Sequence, residues 1–240
     1  MNLSDTNSER AISTPARRQP PKRLPHDAVT IRLVTKGSRD RHALEARIAA
    51  RCARKYGARI EAFLPCLVNL GIDGRHGAVV GLRPARDATL LLEQYFEAPI
   101  EQAISLAFHT PVSRDQVVEV GNLEAAVPGS VALLFGILAA ILHDAGMRWV
   151  VCTATPRVRL ILDDLDLPSR TLCADGHRNP GTHRHGWPPG FGSDQKAVQL
   201  PEKAQSPAPR PGPAIADEGR RQEILAALSV ARKKMQYCGT

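Results

Sequence analysis

Three residues stand in front of the most apolar run of this 240-residue chain, and together they could hold an anion. Pro128, Gly129 and Ser130 punctuate the chain, and residues 131–142 follow as twelve apolar or small residues without a charge. Gly129 permits close backbone approach, and Ser130 suits the N-cap of a helix. The N–H groups of a first helical turn have no acceptor inside the helix, so a phosphate or another anion fits there. The same residues also suit a helix that covers a sheet and happens to begin Pro-Gly-Ser, because one glycine falls short of a full phosphate-loop motif. His177, His183 and His185 are the other grouping with chemical potential. Their surroundings are rich in Gly and Pro and lack a Cys or carboxylate partner pattern, so the segment reads as unstructured and no metal is expected.

The elements around residues 128–130 follow from the hydrophobic period. Residues 116–123 are Val-rich and bounded by polar residues, which predicts a strand, and residues 147–154 predict a second strand parallel to it. With helix 131–142 between them they form a β-α-β unit. Twelve apolar residues are too few to cross a bilayer, where about 18 or more are needed. A helix apolar on every side belongs between a sheet and another layer.

Earlier in the chain, residues 28–35 alternate as a strand. Residues 38–56 form an amphipathic basic helix with Ala43, Leu44, Ile48, Cys52 and Tyr56 on one face. Strands 60–70 and 77–83 are joined by a hairpin turn at residues 71–74. Residues 89–95 read as a strand and 99–109 as a helix. Beyond the central unit, 156–165 suits a helix and 170–174 a short strand. This order of elements implies one α/β or α+β sheet with helices packed against it.

Composition divides the chain into three. Residues 1–60 hold 14 Lys or Arg against 5 Asp or Glu, whereas the other 180 hold 18 against 19, so the net charge of +8 belongs to the N-terminal quarter. An acidic partner or an anionic membrane surface fits that charge, and so does a purely solubilising arm. An aromatic content of 4% and the lack of a binding motif argue against nucleic acid. Residues 1–27 have the composition of a disordered basic arm, and 28–175 carry the folded domain. Residues 176–240 form a Pro/Gly/His-rich tail with a helix candidate at 220–235. Five cysteines, Cys52, Cys66, Cys152, Cys173 and Cys238, are an odd number, widely spaced and without a CxxC, which argues against a disulfide framework and a zinc ribbon. The polar, proline-punctuated opening adds to the expectation of a cytoplasmic setting.

Several segments resemble the thermostable haemolysin family: FLPCL at 63–67, GLRPA at 81–85, LLLEQYFEAPIE at 90–101, EVGNL at 119–123 and GMRWVVCTAT at 146–155. The resemblance covers about residues 30–175. Farther on, Gly186-Trp187 is followed by PPGFGSD where family members continue into a WGxYY-like segment. The family's strand order is similar to that of GNAT-type acyltransferases and, more closely, acyl-homoserine-lactone synthases. The resemblance therefore implies a single mixed, largely antiparallel twisted sheet flanked by helices.

The resemblance also implies a chemistry, transfer of an acyl group from acyl-coenzyme A or an acyl-phosphopantetheine carrier to an amine, with no tightly bound cofactor. Val127, Gly129, Ser130 and Val131 would hold the phosphate of the pantetheine arm. Glu119 would be the general base or would orient the amine, and Asn122 would stabilise the oxyanion. Arg83, Glu93 and Glu101 would line the acceptor pocket. Glu119 could equally form an ion pair with Arg83 or Arg114, and Asn122 could cap a turn. The basic helix would face an acidic acyl carrier protein. The family's name supplies the competing expectation, a membrane-active haemolysin without catalysis.

Overall fold

Strands β2 (Cys66–Ile72) and β3 (Arg75–Pro84) form the centre of the sheet and are buried on both faces, which is why they read as continuous apolar runs. The structure is a computed structural model that describes residues 29–60, 62–173 and 194–200. The two strands are joined at Asp73 and Gly74, both with positive φ, as a two-residue hairpin needs. β1 (Val29–Val34) lies outside β2, and β4 (Val117–Ala125) lies beyond β3. These pairings are antiparallel. β4 then runs parallel to β5 (Trp149–Ala154), as the β-α-β reading requires. β6 (Ser169–Cys173) and β7 (Asp194–Gln199) complete a seven-stranded sheet in the order β1-β2-β3-β4-β5-β7-β6. The architecture is α+β, a mixed and largely antiparallel sheet with helices on both faces.

Helix α3 (Ser130–Asp144) connects β4 to β5 and packs one face of the sheet. Leu134, Ile137, Leu138 and Ile141 meet Val68, Leu70, Val80, Leu82, Val118 and Val120. Because side chains alternate along a strand, Leu67, Val79 and Val117 point the other way. There α1 (Arg41–Tyr56) lays Leu44, Ile48 and Cys52 on Leu67 and Val79. On that same face α2 (Ile100–Phe108) sets Ile100 and Ile104 against Val117, Trp149 and Val151. α4 (Pro156–Asp164) follows β5, with Thr155 Oγ1 accepting the Val158 N–H as its N-cap.

Four expectations change. Residues 89–95 are not a strand but a 3₁₀ turn at Leu91–Tyr95, because two carboxylates described below hold its leading N–H groups. β2 starts at Cys66 and not near residue 60; Pro65 lacks the N–H a ladder needs. On α1, Ala43 is exposed and Arg41 is buried in the helix's inner face. The sheet also extends past residue 175: β7 inserts between β5 and β6 and buries Ala197 and Val198. The His177, His183 and His185 loop, residues 186–193, the 1–27 arm, Cys238 and the 220–235 helix lie outside the described residues. No described helix is long and apolar enough to cross a membrane.

Candidate active site

The parallel strands β4 and β5 pair only from Val117–Trp149 to Val120–Cys152. Beyond that point β4 continues to Ala125 and β5 to Ala154 without pairing to each other. The cause lies in β4: Gly81 opposes Gly121 and Val79 opposes Glu124, so β4 carries one residue more than β3 across the same interval. Asn122 absorbs it with a left-handed backbone (φ 51°), a bulge that bends the strand away. The Asn122 Oδ1 accepts the Leu64 N–H at 2.7 Å and fixes the bend. A cavity of about 980 Å³ opens where the strands part. Its walls come from the β4 edge at 119–127, Cys152 and Thr153 of β5, the 3₁₀ turn, the C-terminal half of α1, and Val131 and Phe135 of α3.

Glu119 lines this cavity, 4% exposed, at the place where the pairing ends. Its Oε2 accepts the Leu91 N–H at 3.0 Å and its Oε1 accepts the Leu92 N–H at 2.9 Å. Burial pushes the carboxyl above its ordinary range, against the pull of the Leu91 N–H, the Arg83 charge and the Leu92 N–H. Arg83 is the cross-strand partner of Glu119, yet its guanidinium reaches the Thr89 carbonyl at 3.3 Å. Arg114 is committed elsewhere, so neither expected ion pair to Glu119 forms.

Arg114 gathers the two glutamates expected at the acceptor pocket. Its fork grips Glu93 at 2.7 and 2.9 Å and reaches Glu101 at 2.8 Å, while its Nε donates to the Ala85 carbonyl at 2.9 Å. Glu93 also accepts the N–H groups of Leu90 and Ile100, at 2.7 and 3.1 Å. The hydrogen bond from Arg114 holds the Glu93 carboxyl down at about 2. This knot ties the 3₁₀ turn to α2. Glu93 borders the cavity with its charge answered, and Glu101 and Arg83 do not border it.

The loop before α3 differs from its sequence reading in one detail. Gly129, with φ +83°, is the N-cap, and Ser130 is the first helical residue. The buried Ser130 hydroxyl lies 3.0 Å from the Gly77 carbonyl and 2.6 Å from that of Val127 and donates inward. The Gly77 carbonyl also accepts the N–H groups of Ala126 and Val127, which anchors the loop to β3. Among the described residues no backbone acceptor outside the helix meets the N–H groups of Gly129, Val131 and Ala132, the donors left at the first turn. A Cβ on Gly129 would meet nothing within 4 Å, so the approach to them is open.

Cys52 and Cys152 also line the cavity. Burial raises both thiols, that of Cys152 to about 12, so neither supplies a thiolate nucleophile at neutral pH. The residues missed in the sequence are Glu124 and His76. Glu124 follows directly on the EVGNL segment, lines the cavity and pairs with His76 from β3. A charge inside a β-rich run was the available signal, but the pairing depends on the bulge, which is not visible in sequence.

The fold, a mixed sheet with one parallel pair in β4 and β5 and helices on both faces, is similar to that of solved acyl-homoserine-lactone synthases. The AHL synthase LasI matches with a TM-score of 0.52 at 12% identity, over 74% of this chain and 93% of that one. FeeM, an N-acyl amino acid synthase from uncultured soil microbes, gives 0.49 at 14% identity, over 72% and 91%. The CoA-dependent acyl-homoserine lactone synthase MesI gives 0.40 at 16% identity, over 82% and 94%. At the level of sequence, the thermostable hemolysin family model matches residues 34–189, and the chain belongs to that family. No curated protein matches.

Proposed function

We propose that this protein is an N-acyltransferase that moves an acyl group from a thioester donor, acyl-coenzyme A or an acyl carrier protein, to an amine. The observation that carries the reading is the parting of β4 and β5 after Val120 and Cys152, caused by the Asn122 bulge. A parted parallel pair leaves backbone N–H and C=O groups facing the cavity, and an amide-bearing chain such as pantetheine can pair with them. Its phosphate end then meets the N–H groups of Gly129, Val131 and Ala132, where the α3 dipole favours an anion. Val127 and Ser130 shape that loop through their bonds to Gly77 and do not bind the anion with their own free donors.

At the reacting centre Glu119 is the carboxylate that moves a proton, its raised affinity for one suiting the task. Asn122 anchors Leu64 with its oxygen, which leaves its NH₂ as the group able to donate toward an oxyanion. Arg114, Glu93 and Glu101 position the cavity wall.

The membrane-lytic alternative has less to stand on. A lipid-binding helix needs a free apolar face, and α1 buries Leu44, Ile48 and Cys52 on the sheet. Its exposed residues Arg47, Arg54 and Lys55 remain available to an acidic carrier protein.

Thermal unfolding with and without coenzyme A, acetyl-coenzyme A and octanoyl-coenzyme A tests the reading. A ligand at 100 times its dissociation constant adds about 2.7 kcal/mol, a shift of several degrees. Absence of any shift, followed by the same result with acyl carrier protein, would remove the acyltransfer reading.

A further inference from the structure

Acyl transfer to an amine has a proton problem that Glu119 does not solve alone. An amine reaches the site at neutral pH as an ammonium and must lose a proton before its nitrogen can attack. Both oxygens of Glu119 already accept backbone N–H groups. A second carboxylate faces the same cavity.

Glu124 lies on β4 beyond the bulge, 8% exposed. Its Oε2 is 2.5 Å from His76 Nε2, and His76 Nδ1 is 2.8 Å from Asn69 Oδ1. Among the described residues Oε1 of Glu124 has no hydrogen-bond partner. Asn69, His76 and Glu124 thus form a polar row across β2, β3 and β4, and Arg51, Cys52, Lys55 and Tyr56 of α1, Arg59 after it and Glu119 of β4 are titratable groups that line the same cavity as Glu124. Ionisable side chains inside a sheet built of Val and Leu carry a desolvation cost that a structural role alone does not require, since apolar residues of like volume stabilise such positions as well or better. Grouped ionisable residues at a cavity wall mark chemistry.

We propose that Glu124 is a second catalytic carboxylate, which receives the acceptor's ammonium on Oε1 and takes its first proton, with His76 and Asn69 as positioning residues behind it. The inference rests on the acyltransfer reading of this cavity. Glu124 removes one proton and leaves a neutral amine. The amine nitrogen attacks the thioester carbonyl carbon, the C–N bond forms and the C–S bond breaks. The second nitrogen proton passes through Glu119 to the departing sulfur. Amide and thiol are the products, and Glu124 returns its proton to solvent, so one proton is released per turnover.

The test uses the full chain, octanoyl-coenzyme A as donor and a panel of primary amines from methylamine to the amino acids, with amide read by mass spectrometry and thiol release followed in time. Glu124→Gln should lower kcat roughly 10²–10⁴-fold while the donor KM and the coenzyme A melting shift stay unchanged. The kcat–pH profile of the residual activity should differ in shape from that of wild type. His76→Leu should lose comparable activity, and His76→Gln, which can still donate to Oε2, should recover part of it; a merely structural pair would change melting and leave the pH profile alone. Glu124→Gln with kcat within twofold of wild type overturns the role and leaves the acyltransfer reading intact. Should Glu124→Gln not fold, an unaltered pH profile in His76→Leu overturns it instead. A wild-type protein that neither binds coenzyme A nor forms amide with any amine overturns both.

Discussion

Gly81 and Asn122 face each other across β3 and β4 so closely that a Cβ on Gly81 would stand 3.0 Å from the Asn122 Oδ1. The same Cβ would be 2.9 Å from the Leu64 Cβ, whose backbone N–H donates to that oxygen. The bulge therefore fits only a glycine in the facing strand. Gly81→Ala should cost about 1–3 kcal/mol, as overpacking of a tight interior does. Because the strain falls on Asn122, the variant should also weaken donor binding, and denaturant melts alongside coenzyme A melting shifts will show whether the two losses occur together.

Gly129 separates a conformational effect from an electrostatic one. Its φ of +83° disfavours any side chain, yet a Cβ there meets nothing. Gly129→Ala should thus cost about 1 kcal/mol of backbone strain and keep the melting shift given by coenzyme A. Gly129→Glu adds a carboxylate where the α3 N-terminus awaits an anion, and it should abolish the shift. Equal loss of the shift in both variants would mean that loop shape, and not charge, governs binding.

Glu119→Gln has a pH-dependent stability cost. Leu91 and Leu92 donate to different oxygens, and in Gln one of these becomes an NH₂ that faces a backbone N–H; leaving a buried donor unmet costs about 1–3 kcal/mol. Against that, the wild-type carboxyl binds its proton more tightly folded than unfolded, so its charge burdens the folded state increasingly as pH rises from 4.5 through the raised value. The deficit of the Gln variant should be larger at pH 4 than at pH 8, measured by urea titration. Turnover should be lost at both.

What the sequence revealed and what it hid differ by the range of the interactions involved. The β4–α3–β5 unit is legible because its signals are local: Val-rich runs, an uncharged helix and a glycine before it. The 3₁₀ turn is not, since LLEQY satisfies a strand pattern equally well, and its conformation depends on Glu119, 27 residues away from Leu92. Ser130 has the right type for an N-cap, but tertiary contact with Gly77 draws its hydroxyl inward. Arg83, Glu93 and Glu101 are visibly unusual charges in apolar motifs, and only the position of Arg114 decides that two of them are tied together by one guanidinium. Glu124 and His76 meet through the bulge, and β7 is a six-residue strand that follows a long Pro/Gly/His-rich stretch.

The Glu93–Arg114 pair should give the fold an acid-sensitive contribution. With the Glu93 carboxyl at about 2 when folded and 4.5 ordinarily, the unfolded chain holds the proton more tightly. The stabilisation is complete above pH 4.5 and is lost as pH falls from there through 2. Arg114 is 30% exposed, so screening limits the effect to about 1–2 kcal/mol. Urea midpoints between pH 5 and 2.5 should fall more steeply for wild type than for Glu93→Gln; parallel curves would assign the acid sensitivity to other carboxylates.

Arg41 ties a basic residue of α1 to the bulge beside the cavity. Its side chain is buried, and its Nε donates to Glu45 at 2.7 Å. Its two terminal nitrogens donate to the carbonyls of Pro65 and Leu64 at 2.5 and 2.8 Å. Leu64 in turn donates to Asn122, so one continuous chain of hydrogen bonds links α1 to the bulge that opens the cavity. A lysine cannot reproduce a planar fork that meets three acceptors on two sides. Arg41→Lys should cost about 1–3 kcal/mol, one or two charge-assisted bonds. If the linkage matters for the cavity, the donor KM should rise in Arg41→Lys, whereas substitution of the exposed neighbour His42 by Ala should change neither quantity. A stability loss in Arg41→Lys with an unchanged KM would confine Arg41 to holding the helix.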